Sequence, residues 1–121
     1  MKKIALIALL AAPLAATGTA GLAEGLYAAI AFSPSTGLSG SAWHFESDGD
    51  AQAEAATQCG VDDCYTAVVF QQCGAIAVGD GYGMGFAEGG AVSTAESTAL
   101  ASCDQYTTNC QITASFCNEG F

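Results

Sequence analysis

The chain has 121 residues, with 12 carboxylates set against two basic side chains and one histidine, for a formal net charge of −10 at pH 7. Both basic residues, Lys2 and Lys3, stand at the N-terminus, so nothing beyond them can neutralise phosphates; nucleic-acid binding is all but excluded, and an anionic membrane surface is disfavoured. Six cysteines in so short a chain imply disulfides, an oxidising compartment and one small domain.

Met1-Lys2-Lys3, an apolar run over residues 4–12 and a small-residue stretch over 15–23 have the three regions of a secretory signal peptide. The apolar run is too short to span a bilayer, which takes about 20 residues. Cleavage after Ala23 is preferred over cleavage after Ala20, and both satisfy the small-residue rule. The predicted destination is secreted or periplasmic, with no transmembrane segment left after cleavage and a single domain over residues 24–121.

Residues 27–32 (Tyr-Ala-Ala-Ile-Ala-Phe) read as a buried strand, and Ser33-Pro34-Ser35-Thr36-Gly37 as the turn after it. Residues 38–45 suit a second hairpin strand with Trp43 and Phe45 on one face and His44 on the other. Ser47 or Asp48 is placed to cap a helix over 50–59, whose Ala51, Ala55, Ala56 and Cys59 form one narrow stripe. Gly60 to Asp63 ends it, and residues 64–70 form the best strand in the chain by propensity. The pattern then recurs. Residues 74–79 are a strand, Asp80-Gly81-Tyr82-Gly83 a tighter turn, and 84–88 the return strand. Ser93-Thr94-Ala95-Glu96 fits a capping box before a helix over 94–103 with the stripe Ala95, Ala99, Leu100 and Cys103, and 110–117 is the last strand.

Corresponding positions in the two copies lie 44 to 46 residues apart. The expected fold is therefore α+β, with two pseudo-symmetric strand-strand-helix-strand repeats, residues 27–73 and 74–117, forming a mainly antiparallel sheet carrying two helices. Six cysteines allow fifteen pairings, and seven of these respect a two-fold relation between the copies. Among the seven, Cys59–Cys64 and Cys103–Cys110 are favoured because each closes a helix-to-strand connection, with Cys73–Cys117 joining the copies.

The opening motif Tyr27 to Gly37, Trp43, the Ala-Glu-Ala-Ala helix ending at Cys59, Cys64, and Cys73-Gly-Ala-Ile-Ala-Val-Gly-Asp-Gly81 together resemble the DUF4189 domain of exported bacterial proteins. The resemblance covers essentially all of the chain after the leader. It implies a secreted or periplasmic cysteine-rich domain and carries no catalytic residue with it. The arginines and additional tryptophans that such domains often have in the second copy are missing here.

Candidate chemistry is sparse. Cysteines committed to disulfides leave no thiolate nucleophile, and the pairs separated by four or six residues with one histidine do not make a zinc knuckle. The glycine-rich stretch 79–85 lacks the lysine of a phosphate loop and reads as a hairpin turn exposing Tyr82 and Met84. Trp43 is expected in the core beside a surface His44, and Asp62-Asp63 on a solvated acidic surface. Asp48 and Asp50 with Glu54 resemble part of an oxygen-ligand calcium loop, which helix capping explains more simply. The expected function is a non-enzymatic protein-interaction or envelope-associated module without a cofactor. Its contact residues would be Trp43, His44, Asp80, Tyr82 and Met84, and its partner a basic protein. The alternatives are a secreted hydrolase using carboxylates near Trp43 and a calcium-dependent binding module.

Overall fold

The computed structural model describes residues 25–118, and the predicted signal peptide lies outside them. Strands β1 (Tyr27–Phe32) and β2 (Ser39–Phe45) form a hairpin, helix α1 (Asp48–Cys59) follows, and β3 (Tyr65–Phe70) returns to the free edge of β1, giving the order β2-β1-β3. The second half repeats the plan with β4 (Cys73–Val78), a short 3-10 turn (Asp80–Tyr82), β5 (Met84–Gly89), α2 (Val92–Asp104) and β6 (Gln111–Cys117), in the order β5-β4-β6. All pairings are antiparallel. One irregularity also repeats: pairing with the last strand of each sheet shifts between Ile30 and Ala31 in β1 and between Ile76 and Ala77 in β4.

The α+β class and the doubled strand-strand-helix-strand plan are those expected. The six strands, however, divide into two three-stranded sheets instead of joining in one. The alternation of small and large residues explains why. Ala29 and Ala31 of β1 pack with Ala42, Ala51, Ala55 and Cys59 beneath α1, whereas Ala28, Ile30 and Phe32 point the other way, to Val68, Phe70, Ile76 and Phe116. In β4, Ala75 and Ala77 pack with Ala87, Ala95, Ala99 and Cys103 beneath α2, and Ile76 enters the shared core. A central strand buried on both faces needs two covers. The small face of each sheet takes its helix, and the large faces take one another. The layers run helix, sheet, sheet, helix, with β1 against β4, β3 against β5 and β2 against β6 in the middle.

Close helix approach rests on two residues that sequence reasoning passed over. A Cβ at Gly40 would overlap the Ala55 carbonyl oxygen and the Cys59 backbone nitrogen, and one at Gly85 would overlap the Cys103 backbone nitrogen. Gly40 pairs with Ala31 and Gly85 with Ala77, so the two glycines are equivalent positions of the repeat. The signal was present as Gly40-Ser-Ala42 and Gly85-Phe-Ala87, two small residues at strand spacing in each return strand.

Several local expectations are corrected. Ser47 caps the first helix as expected, its Oγ accepting from the Asp50 backbone N–H at 3.1 Å, but the second helix lacks the side-chain cap expected for it. Helix α2 begins at Val92 with Ala91 as its cap and no side-chain bond there, and Ser93 lies inside the helix. Glu96, expected to reach back to the cap, instead accepts from Ser115 Oγ at 2.6 Å, tying α2 to β6.

The three disulfides are Cys59–Cys64, Cys103–Cys110 and Cys73–Cys117, all as expected. The role assigned to the last was wrong. Cys73 opens β4 and pairs directly with Cys117 of β6, at a Cα separation of 3.9 Å, so this bond lies across two strands of the second sheet and does not join the copies. In the first sheet the residue equivalent to Cys73 is Tyr27, three places before the central isoleucine. Only two of the three disulfides obey the repeat.

Candidate functional site

Two groups of candidate residues fall at opposite ends of the sandwich. Trp43 and His44 lie where β2 finishes. The register of β1 and β2 shifts between Tyr27 and Ala29, and His44 there has a positive φ of 68°. This bulge breaks the alternation on which the face assignment rested. Trp43 is 39% exposed, not a core residue, and His44 is exposed beside it. The indole reaches the end of the inter-sheet core, edge-on to Phe116 at 5.7 Å, and Phe116 in turn packs on Phe70 at 5.1 Å.

The same end is fastened by Asn118, a buried residue without any role in the sequence reading. Its Oδ1 accepts from the His44 backbone N–H at 2.9 Å, and its Nδ2 donates to the Leu26 carbonyl at 2.7 Å and the Gln71 carbonyl at 3.3 Å. Its own backbone N–H donates to the Gln72 carbonyl at 2.7 Å. One side chain thus closes the bulge, the entry to β1 and the link between the sheets. No periodicity marks such a residue, since its partners are brought near only by the fold.

The other end is built from both hairpin turns and both helix-to-strand connections. In the first repeat the connection supplies a carboxylate to the turn. Asp63 Oδ1 accepts from buried Ser33 Oγ at 2.6 Å, and Oδ2 accepts from the Ser35 backbone N–H at 3.0 Å. Ser33 Oγ also accepts from Thr36 Oγ1 at 2.8 Å. These bonds, from the Ser33 hydroxyl foremost and then Ser35, hold the Asp63 carboxyl below its ordinary 3.8. Asp63 is exposed, as expected, and also anchors the turn. In the second repeat the direction reverses and the turn supplies the carboxylate. Asp80 Oδ2 accepts from Thr108 Oγ1 at 3.0 Å and from Asn109 Nδ2 at 2.8 Å, while the Asp80 backbone carbonyl accepts from Thr107 Oγ1 at 2.7 Å.

A disulfide lies under each turn. Cys59 Sγ is 3.7 Å from the Leu38 carbonyl oxygen, and Cys103 Sγ is 3.9 Å from that of Gly83. The two turns also meet: at Gly37, with φ of +78°, a Cβ would lie 2.7 Å from the Tyr82 ring. Tyr82 itself has a positive φ of 64° and remains 46% exposed. Two turns unique to their own repeats are thus juxtaposed. Leu38, Tyr65 and Tyr106 are exposed on the same end, Tyr106 most of all at 72%. Met84, expected to be exposed, is partly buried against the inter-sheet core.

The calcium candidates are spread along one helix. Asp48 and Asp50 stand in the first turn of α1, and Glu54 accepts from Gln58 Nε2 at 2.7 Å one turn on. Among the described residues, no three His, Cys, Asp or Glu side chains gather in a way that could hold a metal ion. Every described cysteine is disulfide-bonded, and no described helix is long and apolar enough to cross a membrane.

Two sheets packed face to face, a helix on each outer side and a disulfide under each hairpin turn define a small disulfide-stapled α+β domain. Residues 27–117 match the family described as a domain of unknown function, DUF4189, and the chain belongs to that family. It is also similar to the NMR structure of Rv1813c from Mycobacterium tuberculosis, with 31% identity over 78% of this chain and 76% of that one and a TM-score of 0.59. No match was found among curated proteins.

Proposed function

We propose that this is an exported, non-enzymatic interaction domain that works in the periplasm or outside the cell by contact with a basic protein, at the envelope or beyond it. The carrying observation is how the chemically capable groups are used. The cysteines form disulfides, Asp63 and Asp80 hold loops together, and Glu96 and Glu54 accept hydrogen bonds from neighbouring side chains. The same loops that these groups immobilise carry exposed aromatic and aliphatic side chains, which suits recognition by a preorganised surface. Export is supported by the signal-peptide pattern of residues 1–23 and by three disulfides, which persist in oxidising compartments. The basic character of the partner follows from a chain with no Lys or Arg after Lys3.

The test places a photo-crosslinking amino acid at Leu38 or at His44 in the exported chain and irradiates cells and medium. A single protein partner joined from one of the two positions is the expected result. Turnover of an ester or glycoside by the purified protein, abolished by a carboxylate substitution, would replace the contact reading with the hydrolase one.

A further inference from the structure

The end formed by the two hairpin turns and the two helix-to-strand connections carries Leu38, Tyr65, Tyr82 and Tyr106 in exposed positions, and Asp62 and Asp80 are exposed in the same loops. Its loops are braced from several directions: the Asp63 and Asp80 bonds, the two sulfur–carbonyl contacts and the seating of Tyr82 on Gly37. Such bracing lowers the ordering cost of binding, because side chains on a fixed loop lose less freedom. Between Gly25 and Asn118 there are ten carboxylates and neither Lys nor Arg, so nothing within this stretch competes for a cation brought to that surface.

We infer that this tyrosine-bearing end is the docking surface, and that its occupant is an arginine-rich segment of a protein partner, with guanidinium groups lying on the tyrosine faces and pairing with Asp62 and Asp80. The assignment rests on the contact reading above and adds its location and chemistry. Charge complementarity selects the occupant: a guanidinium is attracted to the negative face of an aromatic ring and to a carboxylate at the same time. Lysine meets the second requirement as well but is more strongly hydrated, so it should bind more weakly at such a mixed surface. The opposite end provides an internal comparison, since Asp48, Asp50 and Glu88 are exposed there with one exposed ring, Trp43, in place of three exposed tyrosines.

The test is an amide chemical-shift titration of the disulfide-bonded protein with a Gly-Arg repeat peptide, the matching Gly-Lys peptide and an uncharged Gly-Gln peptide. The expected shifts are confined to residues 33–38, 60–65, 79–83 and 104–110, with the arginine peptide tighter than the lysine one and the glutamine peptide silent. Replacing Tyr82 and Tyr106 together by Ala should weaken arginine-peptide binding by about fivefold to thirtyfold; Tyr106→Ala alone, at a side chain 72% exposed, should weaken it by about twofold to fivefold with the thermal midpoint unchanged, and Asp48→Asn with Asp50→Asn should leave the affinity unchanged. Shifts spread evenly over both ends, unchanged affinity in the double tyrosine variant, or no binding of the arginine peptide would each overturn the assignment. The crosslinking result stands apart from these outcomes: a partner captured from His44 alone would keep the contact reading and remove this surface.

Discussion

Asn118 Oδ1 accepts the backbone N–H of His44 at 2.9 Å, across 74 residues of chain. This bond joins the end of the second repeat to the bulge of the first, the task first assigned to Cys73–Cys117. The same amide donates to the carbonyl of Leu26, 92 residues away. Asn118→Ala would remove the bonds to the His44 N–H and to the Leu26 and Gln71 carbonyls, at about 1–3 kcal/mol for each group that stays buried and that water cannot reach. A total loss of about 3 kcal/mol is expected in urea unfolding. Asn118→Asp is the sharper test, because it keeps the acceptor for His44 and loses the donor. It should recover only part of the loss, and full recovery would mean that the Leu26 and Gln71 bonds contribute nothing.

Glycine content alone does not say which glycines matter. At Gly40 and Gly85 an added methyl group would collide with helix backbone, which cannot rotate away, so Gly40→Ala and Gly85→Ala must push a helix off its sheet. At Gly49, in the first turn of α1, nothing lies within 4 Å of the added Cβ. Gly49→Ala should therefore stabilise by about 0.5–1 kcal/mol through helix propensity, while either of the other two costs about 3 kcal/mol or prevents folding. Thermal midpoints of the three variants decide the matter; similar midpoints would refute the close-packing account.

The repeat was legible because its signals are local: Ala-Ile-Ala at strand spacing, alanines four apart before a cysteine, and a short cysteine-closed connection. The division into two sheets was also written there, in the contrast between Ala29 and Ala31 on one face and Ile30 and Phe32 on the other. Reading it required asking what each face could accept as cover. Trp43 was misplaced for a different reason. One bulged residue reverses the faces of a strand, and the bulge at His44 is fastened by a bond from Asn118, 74 residues away, which no local pattern marks. The loop-built end was half visible. Its two turns were recognised as the features that the copies do not share, but their meeting through Gly37 and Tyr82 depends on stacking of the sheets. Asp63 and Asp80 could not be paired as counterparts by alignment, because they occupy opposite loops of their repeats.

The disulfides should differ in value. Cys73–Cys117 closes 44 residues, whereas Cys59–Cys64 and Cys103–Cys110 close 5 and 7. Loop-closure entropy assigns about 4 kcal/mol to the first and about 2 kcal/mol to each of the others. Replacing Cys73 and Cys117 together by Ser should thus lower the urea midpoint roughly twice as far as replacing Cys59 and Cys64. The smaller pair should have a separate, local effect, loosening the turn beneath which Cys59 sits and increasing amide exchange at residues 33–38. Equal midpoints in the two variants would refute the dependence on loop length, and unchanged exchange at residues 33–38 would refute the local role of Cys59–Cys64.

Asp63 makes the stability of the loop-built end depend on acid. Its carboxyl is held below the ordinary 3.8 in the folded protein, first by the Ser33 hydroxyl and then by Ser35. A group with a depressed folded value stabilises fully above its unfolded value, and that contribution is lost as pH falls through the folded one. The window therefore opens near 3.8 and extends to lower pH. Protonation leaves the carboxyl a poorer acceptor for the Ser33 hydroxyl and the Ser35 N–H, so amide exchange over residues 33–37 should quicken in that window before the sheets respond. Asp63→Asn removes the titration and should flatten the local pH dependence while lowering protection at neutral pH. Ser33→Ala removes the foremost cause and should bring the Asp63 carboxyl back towards 3.8, read by a carbon-detected titration. An Asp63 midpoint that does not move in Ser33→Ala would mean that the hydroxyl is not what holds the charge.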